Sequence, residues 1–331
     1  MDDSDKTIIL SKDDAGALLG HCPICGSRLE TDQSFSELLR CPGCSYTQKQ
    51  EFSLTPGSIA GNKYRILSQL NQGGFGAIFL CHPLNNMQER YVLKVLRNAS
   101  TQSILRFKRE ASILSAISSK RIPRILDYWD NDKNFFIVME YVDGKNLLQL
   151  KTEYVFDEET VLSIAREVVL GLKNIWEEHN VIHRDIKPAN IMLDENLRVK
   201  VLDFGLSKQC GCENDSLMNI TMANACMGTP GFMSPEQFND CKNVDFRTDI
   251  FSLGASMFFL LTDQKPFSGI AVSDIHNSTV KNSPPPAERF GGCCSDQTVA
   301  LIRKMMQLKP QDRYPDYDSL LADFDACLGS E

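Results

Sequence analysis

The chain has no long apolar run. The longest runs, such as Met257 to Leu261, span only a few residues, whereas a membrane-crossing helix needs about 20. No apolar stretch of leader type follows the acidic start Met1-Asp2-Asp3-Ser4-Asp5, so no secretory leader is expected. The expectation is a cytoplasmic protein with no membrane span. An excess of positive charge is also lacking: 35 Lys and Arg stand against 43 Asp and Glu, a net charge of −8. Acids outnumber bases within the first sixty residues as well. There is no basic patch interleaved with aromatics, which argues against binding a nucleic-acid backbone.

Cysteine, by contrast, is plentiful, with twelve in 331 residues. Without a leader, a reducing compartment is the simplest setting, and the thiols need a use other than disulfides. Cys22-Pro23-Ile24-Cys25 and Cys41-Pro42-Gly43-Cys44 form two C-x-x-C knuckles with a fifteen-residue gap. That spacing predicts a tetrahedral zinc site of four thiolates at Cys22, Cys25, Cys41 and Cys44. A closed four-sulfur shell leaves no position for water, so the zinc is expected to be structural. A disulfide pair or free thiols is the competing reading. His21 adjoins the first knuckle, but the four sulfurs already fill the site. Such a ribbon suits folding or a protein partner. Cys81, Cys241 and Cys327 read as packing residues, and Cys210, Cys212 and Cys226 as redox candidates.

The most informative stretch is His183-Arg184-Asp185-Ile186-Lys187-Pro188-Ala189-Asn190, followed by Asp203-Phe204-Gly205. Alone, Asp-Phe-Gly is a tight turn. Upstream, Asn71-Gln72-Gly73-Gly74-Phe75-Gly76-Ala77-Ile78 lies between two apolar stretches and reads as strand, glycine-rich turn, strand. Tyr91-Val92-Leu93-Lys94-Val95 is an apolar run broken by one lysine, costly to bury unless paired. Ile104, Phe107, Ala111 and Leu114 recur at helical spacing beside Glu110. Phe135 to Val142 reads as a buried strand running into a turn at Asp143-Gly144. Farther on stand Ser234-Pro235-Glu236, Asp249-Ile250-Phe251-Ser252-Leu253-Gly254 and Asp312-Arg313-Tyr314.

Taken in order, these strings resemble the eukaryotic-like, bacterial-type serine/threonine protein kinases over roughly Tyr64 to Leu328. H-R-D-x-K-P-x-N and D-F-G are similar to that family's catalytic and metal-binding loops. The resemblance implies an α+β fold with a β-rich N-lobe and a mostly helical C-lobe. It implies transfer of the γ-phosphoryl group of ATP, with Mg²⁺ or Mn²⁺, to serine or threonine hydroxyls of protein substrates. Asp185 would be the base and Lys187 would steady the γ-phosphate. Asn190 and Asp203 would hold the metal. Lys94, paired with Glu110, would hold the α- and β-phosphates. Asn71, Gly73, Gly74, Gly76 and Ile78 would cover the nucleotide. The backbone of Glu140 and Val142 would bind adenine, with Met139 as gatekeeper.

The family pattern has glycine where this chain has Asn71, a residue that tolerates positive φ. The alternative is a pseudokinase or scaffold that binds nucleotide and partners without turnover. A third reading is a zinc-ribbon adaptor using the kinase fold as a surface. The resemblance also implies a Glu236–Arg313 ion pair and an anchoring role for Asp249. Arg184 before Asp185 marks the type awaiting a phosphate on the activation segment, with Thr221 first and Ser216 second as acceptors. Thr229 would brace Lys187 and Asp185, and Ser207 lies too close to Asp203 to swing.

The expected organisation is an acidic N-terminus at 1–20, the ribbon at 21–50, a linker at 51–62 and the kinase domain at 63–328. The N-lobe would cover 63–142 and the C-lobe 143–328.

Overall fold

The structure is a computed structural model that describes residues 27, 30–32, 35–40, 44, 47–49, 54–73, 76–97, 101–131, 134–204, 230–239, 244–269 and 271–329. The chain divides into two compact units, residues 1–55 and 56–331. The first contains β1 (Glu30–Asp32), β2 (Phe35–Arg40) and β3 (Thr47–Lys49), an antiparallel sheet in the order β1-β2-β3. Cys44 falls between β2 and β3 and is half-buried. Cys22, Cys25 and Cys41 lie outside the described residues.

The second unit opens with a six-stranded antiparallel sheet. Its strands are β4 (Ile59–Ala60), β5 (Tyr64–Gly73), β6 (Gly76–Pro83), β7 (Tyr91–Leu96), β8 (Ile125–Asn131) and β9 (Asn134–Glu140), in the order β4-β5-β6-β7-β9-β8. The linker expected at 51–62 is therefore drawn too long. Ile59 and Ala60 pair with Arg65 and Tyr64. Gly57 and Ser58 exchange backbone hydrogen bonds with Ile66 at 2.9 Å each. A two-residue edge strand carries too little pattern to be read from sequence.

Helix α1 (Thr101–Ser115) lies on one face of this sheet against β8 and β9. Its stripe Ile104, Phe107, Ala111 and Leu114 is buried and packs with Phe135 and Ile137 of β9. Phe107 and Phe135 stack at 5.6 Å. Each such aromatic or branched side chain contributes roughly 1.5–3 kcal/mol when withdrawn from water.

The remainder is mostly helical. β10 (Gly144–Asn146) leads into α2 (Leu147–Glu153), then α3 (Glu158–His179). β11 (Ile191–Asp194) and β12 (Val199–Val201) complete a three-stranded sheet with β10. They are followed by α4 (Pro235–Asn239), α5 (Arg247–Thr262), α6 (Val272–Asn282), α7 (Asp296–Met305) and α8 (Tyr317–Leu328). Asp157 caps α3 by accepting the Thr160 N–H at 2.8 Å, and Asn180 closes the helix in the left-handed region at φ 52°. Helix α5 is apolar nearly all round and buried along most of its length, as a central core helix must be. Against it pack α3 and α7, and α8 packs in turn on α3 and α7.

Candidate active site

The β5–β6 hairpin and β7 supply the upper side of the site. Directly opposed residues of an antiparallel sheet share a face. The register runs Asn71↔Ile78↔Lys94↔Ile137 across four strands. Asn71, Ile78 and Lys94, far apart in sequence, thus form one row, on the face where α1 lies. Asn71 does not adopt positive φ: it sits in β5, and its Oδ1 accepts the Gln72 N–H at 2.7 Å. The side chain braces the strand, and glycine's freedom is not needed there. Gly76 has a requirement beyond any ligand. A Cβ at this position would lie 2.1 Å from the Val95 carbonyl oxygen, so only glycine lets β6 and β7 close. Gly73 ends β5, and Gly74 lies outside the described residues.

The lysine that interrupts β7 is 12% exposed and pairs with Asp203 at 3.1 Å. Glu110 is half-buried on α1, on the same side of the sheet. A small cavity between Lys94, Leu114, Met139, Asp203 and Phe204 lies behind this pair. Phe204 is buried in the core beneath α1 and meets the His183 ring at 4.5 Å. Val142, just past β9, is buried.

The lower side is the connection between α3 and β11. Asp185 Oδ2 accepts two hydrogen bonds, from Lys187 Nζ at 3.0 Å and Asn190 Nδ2 at 2.9 Å. Asn190 Nδ2 also donates to the Asp185 carbonyl at 2.8 Å. The amide nitrogen carries both bonds, which leaves the Asn190 carbonyl oxygen as an acceptor. With the Asp203 carboxylate, this gives hard oxygen donors of the kind that suit Mg²⁺. His183 is fully buried. Its Nδ1 accepts the Asp185 N–H at 3.2 Å, so Nε2 carries the proton and donates to the Leu202 carbonyl at 2.7 Å. One imidazole thereby ties the Asp185 segment to the Asp203 segment.

Two residues here are held in the left-handed region, Arg184 at φ 65° and Asp203 at φ 57°. Non-glycine residues adopt it at a cost of order 1–3 kcal/mol, so surrounding structure must enforce it. Asp249 does so for Arg184. Its two carboxylate oxygens accept the His183 and Arg184 N–H groups at 2.7 Å each. Burial, the largest influence, pushes the Asp249 carboxyl up to about 7, against the pull of those two hydrogen bonds and the Arg184 charge. Gln237 adds a donor to the Arg184 carbonyl at 3.0 Å.

Below this, Arg313 forms a two-pronged ion pair with Glu236 at 2.6 and 2.8 Å, across 77 residues of sequence. Thr248 Oγ1 donates to Glu236 at 2.9 Å and shares a 2.6 Å hydrogen bond with the buried Ser234. Neither Thr248 nor Gln237 carries a sequence signal; their roles arise only where α4 and α5 meet. Nor does the sequence mark the Glu140 side chain, since the resemblance assigns a role there to the backbone alone. Residues 205–229, including Ser207, Cys210, Cys212, Ser216, Thr221, Cys226 and Thr229, and Cys241 lie outside the described residues.

A six-stranded sheet over a helical half, with lysine and carboxylates meeting between them, defines a two-lobed kinase fold. The protein kinase domain model matches residues 64–322, and the chain belongs to that family. It carries a kinase domain of the serine/threonine class. It is 32% identical over 283 residues to a "probable serine/threonine-protein kinase" of Streptomyces coelicolor, covering 82% of this chain and 41% of that protein. It is 31% identical over 279 residues to serine/threonine-protein kinase PknB of Mycobacterium tuberculosis, covering 82% and 44%. The chain thus spans about two-fifths of the length of these relatives. The crystal structure of Rad53 1-466 in complex with AMP-PNP superposes with a TM-score of 0.63 at 22% identity, covering 78% of this chain and 64% of that one. No helix among the described residues is long and apolar enough to cross a membrane.

Proposed function

We propose that the chain transfers the γ-phosphoryl group of ATP, with Mg²⁺ or Mn²⁺, to serine and threonine hydroxyls of protein substrates. The observation that carries this reading is the Asp185 carboxylate, with Lys187 and Asn190 both bonded to one of its oxygens. Transfer through a loose transition state asks for positioning and charge neutralisation more than covalent chemistry. Asp185 accepts the proton of the acceptor hydroxyl. Lys187, already beside it, faces the γ-phosphate. The carbonyl oxygen of Asn190 and the carboxylate of Asp203 hold the cation, which when bound offsets phosphate charge.

Lys94 turns from Asp203 to the α- and β-phosphates, oriented by Glu110. Asn71, Gly73, Gly74, Gly76 and Ile78 lie over the nucleotide, and the main chain of Glu140 and Val142 takes the adenine edge. The neighbouring fold solved with AMP-PNP supports a nucleotide in this cleft. The test is transfer of labelled phosphate from ATP to a generic protein substrate by the purified chain. Nucleotide binding without transfer would favour the pseudokinase reading.

The same reading extends to regulation. Arg184 Nε is buried with no hydrogen-bond partner among the described residues. A phosphate at Thr221, or secondarily Ser216, brings roughly −1.5 to −2 charge and pairs with such a guanidinium. Mass spectrometry after incubation with ATP should locate phosphate at one of these two, and Thr221→Ala should lower activity. Fully active protein unmodified at both would exclude the switch.

We also infer that Cys22, Cys25, Cys41 and Cys44 hold one structural Zn²⁺. So short a segment as 21–50 has little length from which to build a core of its own, which supports an ion as the organising element. One equivalent of zinc per chain is expected by elemental analysis. Cys41→Ser should release it while the second unit unfolds at an unchanged temperature. Zinc-free protein, purified without chelator, would count against the site. The acidic first sixty residues favour a protein partner over nucleic acid. A reducing, cytoplasmic setting is the simplest one for a chain with twelve cysteines, four of them in two C-x-x-C knuckles.

A further inference from the structure

Lys200 is a charged residue within β12, and burial leaves it 9% exposed. An ammonium withdrawn from water is costly unless paired. Its Nζ meets Glu140 Oε1 at 2.9 Å. Glu140 is the last residue of β9, where the chain leaves the upper sheet for the connection at 141–143. Its second carboxylate oxygen accepts the Arg124 N–H at 3.2 Å, and its own N–H donates to the Arg124 carbonyl at 2.9 Å. The next residue of β12, Val201, donates its N–H to the Arg121 carbonyl at 2.8 Å. One end of this ion pair is therefore fixed to the strand that leads into the adenine-binding main chain. The other lies three residues before Asp203.

We propose that the Lys200–Glu140 pair positions the nucleotide cleft, setting the main chain of residues 140–142 at a fixed distance from Asp203. The proposal rests on the nucleotide reading given above. Lys200 Nζ is engaged by the Glu140 side chain, to which no contact with ATP or the acceptor is assigned, so its role is that of a positioning residue. A partly buried ion pair adds little net stability, because desolvation offsets the attraction. What it supplies is direction. A methionine at 200 could fill the same space, but it would accept many offsets between β9 and β12. A lysine that must reach one carboxylate oxygen accepts few. Binding that depends on contacts at both ends of a ligand is sensitive to such offsets.

The experiment compares wild type with Lys200→Met, Glu140→Gln, the double variant and Lys200→Arg, all as full-length chain. Calorimetry gives Kd for adenosine and for Mg-ADP, and steady-state assays give KM and kcat for ATP. Mg-ADP binding and KM are expected to weaken about tenfold in each single variant, with kcat changed less than adenosine-to-ADP discrimination. Adenosine, which spans only one end, should lose far less. The double variant should be no worse than the weaker single one, and Lys200→Arg should recover most of the affinity. A fall in melting temperature with unchanged Mg-ADP affinity would make the pair a structural strut and overturn the proposal. Equal losses for adenosine and Mg-ADP would do the same, since the spacing would then be irrelevant. Glu140→Gln, nearly isosteric, keeps the test decisive if Lys200→Met does not fold. If wild type binds nucleotide without transferring phosphate, the kinase reading fails while the binding arms still decide this one.

Discussion

Asp185→Asn is expected to leave the protein folded and able to bind Mg-ATP, yet to cut phosphoryl transfer by ~10² to 10⁴-fold. The amide is nearly the same size as the carboxylate and can still accept a hydrogen bond from Lys187 or Asn190. It cannot take a proton from the acceptor hydroxyl, and it withdraws a negative charge from between two donors placed 2.9 and 3.0 Å away. Binding should change little, because in the proposed mechanism Asp185 serves the hydroxyl, whereas Asp203 and Lys94 serve the nucleotide. Single-turnover kinetics at saturating Mg-ATP isolate the step. An undiminished rate would remove Asp185 from the role of base. Asp203→Ala gives the contrasting result: it should weaken Mg-nucleotide binding itself, seen as a raised Kd for Mg-ADP.

Arg313→Met should destabilise the second unit by about 3–5 kcal/mol, the usual cost of stranding one member of a buried ion pair. Its guanidinium side chain is fully buried. Besides the two bonds to Glu236, it donates to the carbonyls of Gln307, Arg247 and Leu308 and lies 4.8 Å above the Phe251 ring. Arg313→Lys keeps the charge but not the planar fork, so it should recover only part of the loss. For a unit of this size, each kcal/mol shifts the thermal midpoint by about 2–4 °C. A midpoint within a degree or two of wild type would contradict the energetics.

The pH dependence has a definite sign. Burial pushes the Glu236 carboxyl up, but the hydrogen bond and charge of Arg313 outweigh it, so the net shift is downward. A carboxylate depressed in the fold contributes stability above its unfolded pKa, near about 4.3. That contribution disappears as pH falls through the folded value. Wild type should therefore lose part of its advantage over Arg313→Met under acid conditions.

Much of the site was legible because phosphate, metal and proton transfer each demand particular atoms in a local order. Asp185, Lys187 and Asn190 stand within six residues, so a short turn suffices to bring them together. Asp203 and Lys94 were recognised the same way, and they meet although 109 residues separate them. The helix stripe of α1 was visible because burial of one helical face imposes its own period. The Glu236–Arg313 pair was legible by resemblance, since neither residue has a local pattern that names its partner.

The sequence by itself determined the family, the buried stripe of α1 and which residue types are offered to the cleft. It did so because apolar periodicity and reactive side chains are properties of short segments. Only the tertiary structure decided the rest. It made Asn71 a strand residue and Gly76 a steric necessity, since strand register brings Val95 against it. It turned Ile59 and Ala60 into the edge of a sheet, and it gave Glu140 a side-chain partner sixty residues away in Lys200. It also set Gln237 against the Arg184 carbonyl and Thr248 against Glu236 and Ser234, where α4 and α5 converge. These are consequences of where elements cross, and a contact between distant segments leaves no imprint on the local pattern of either one.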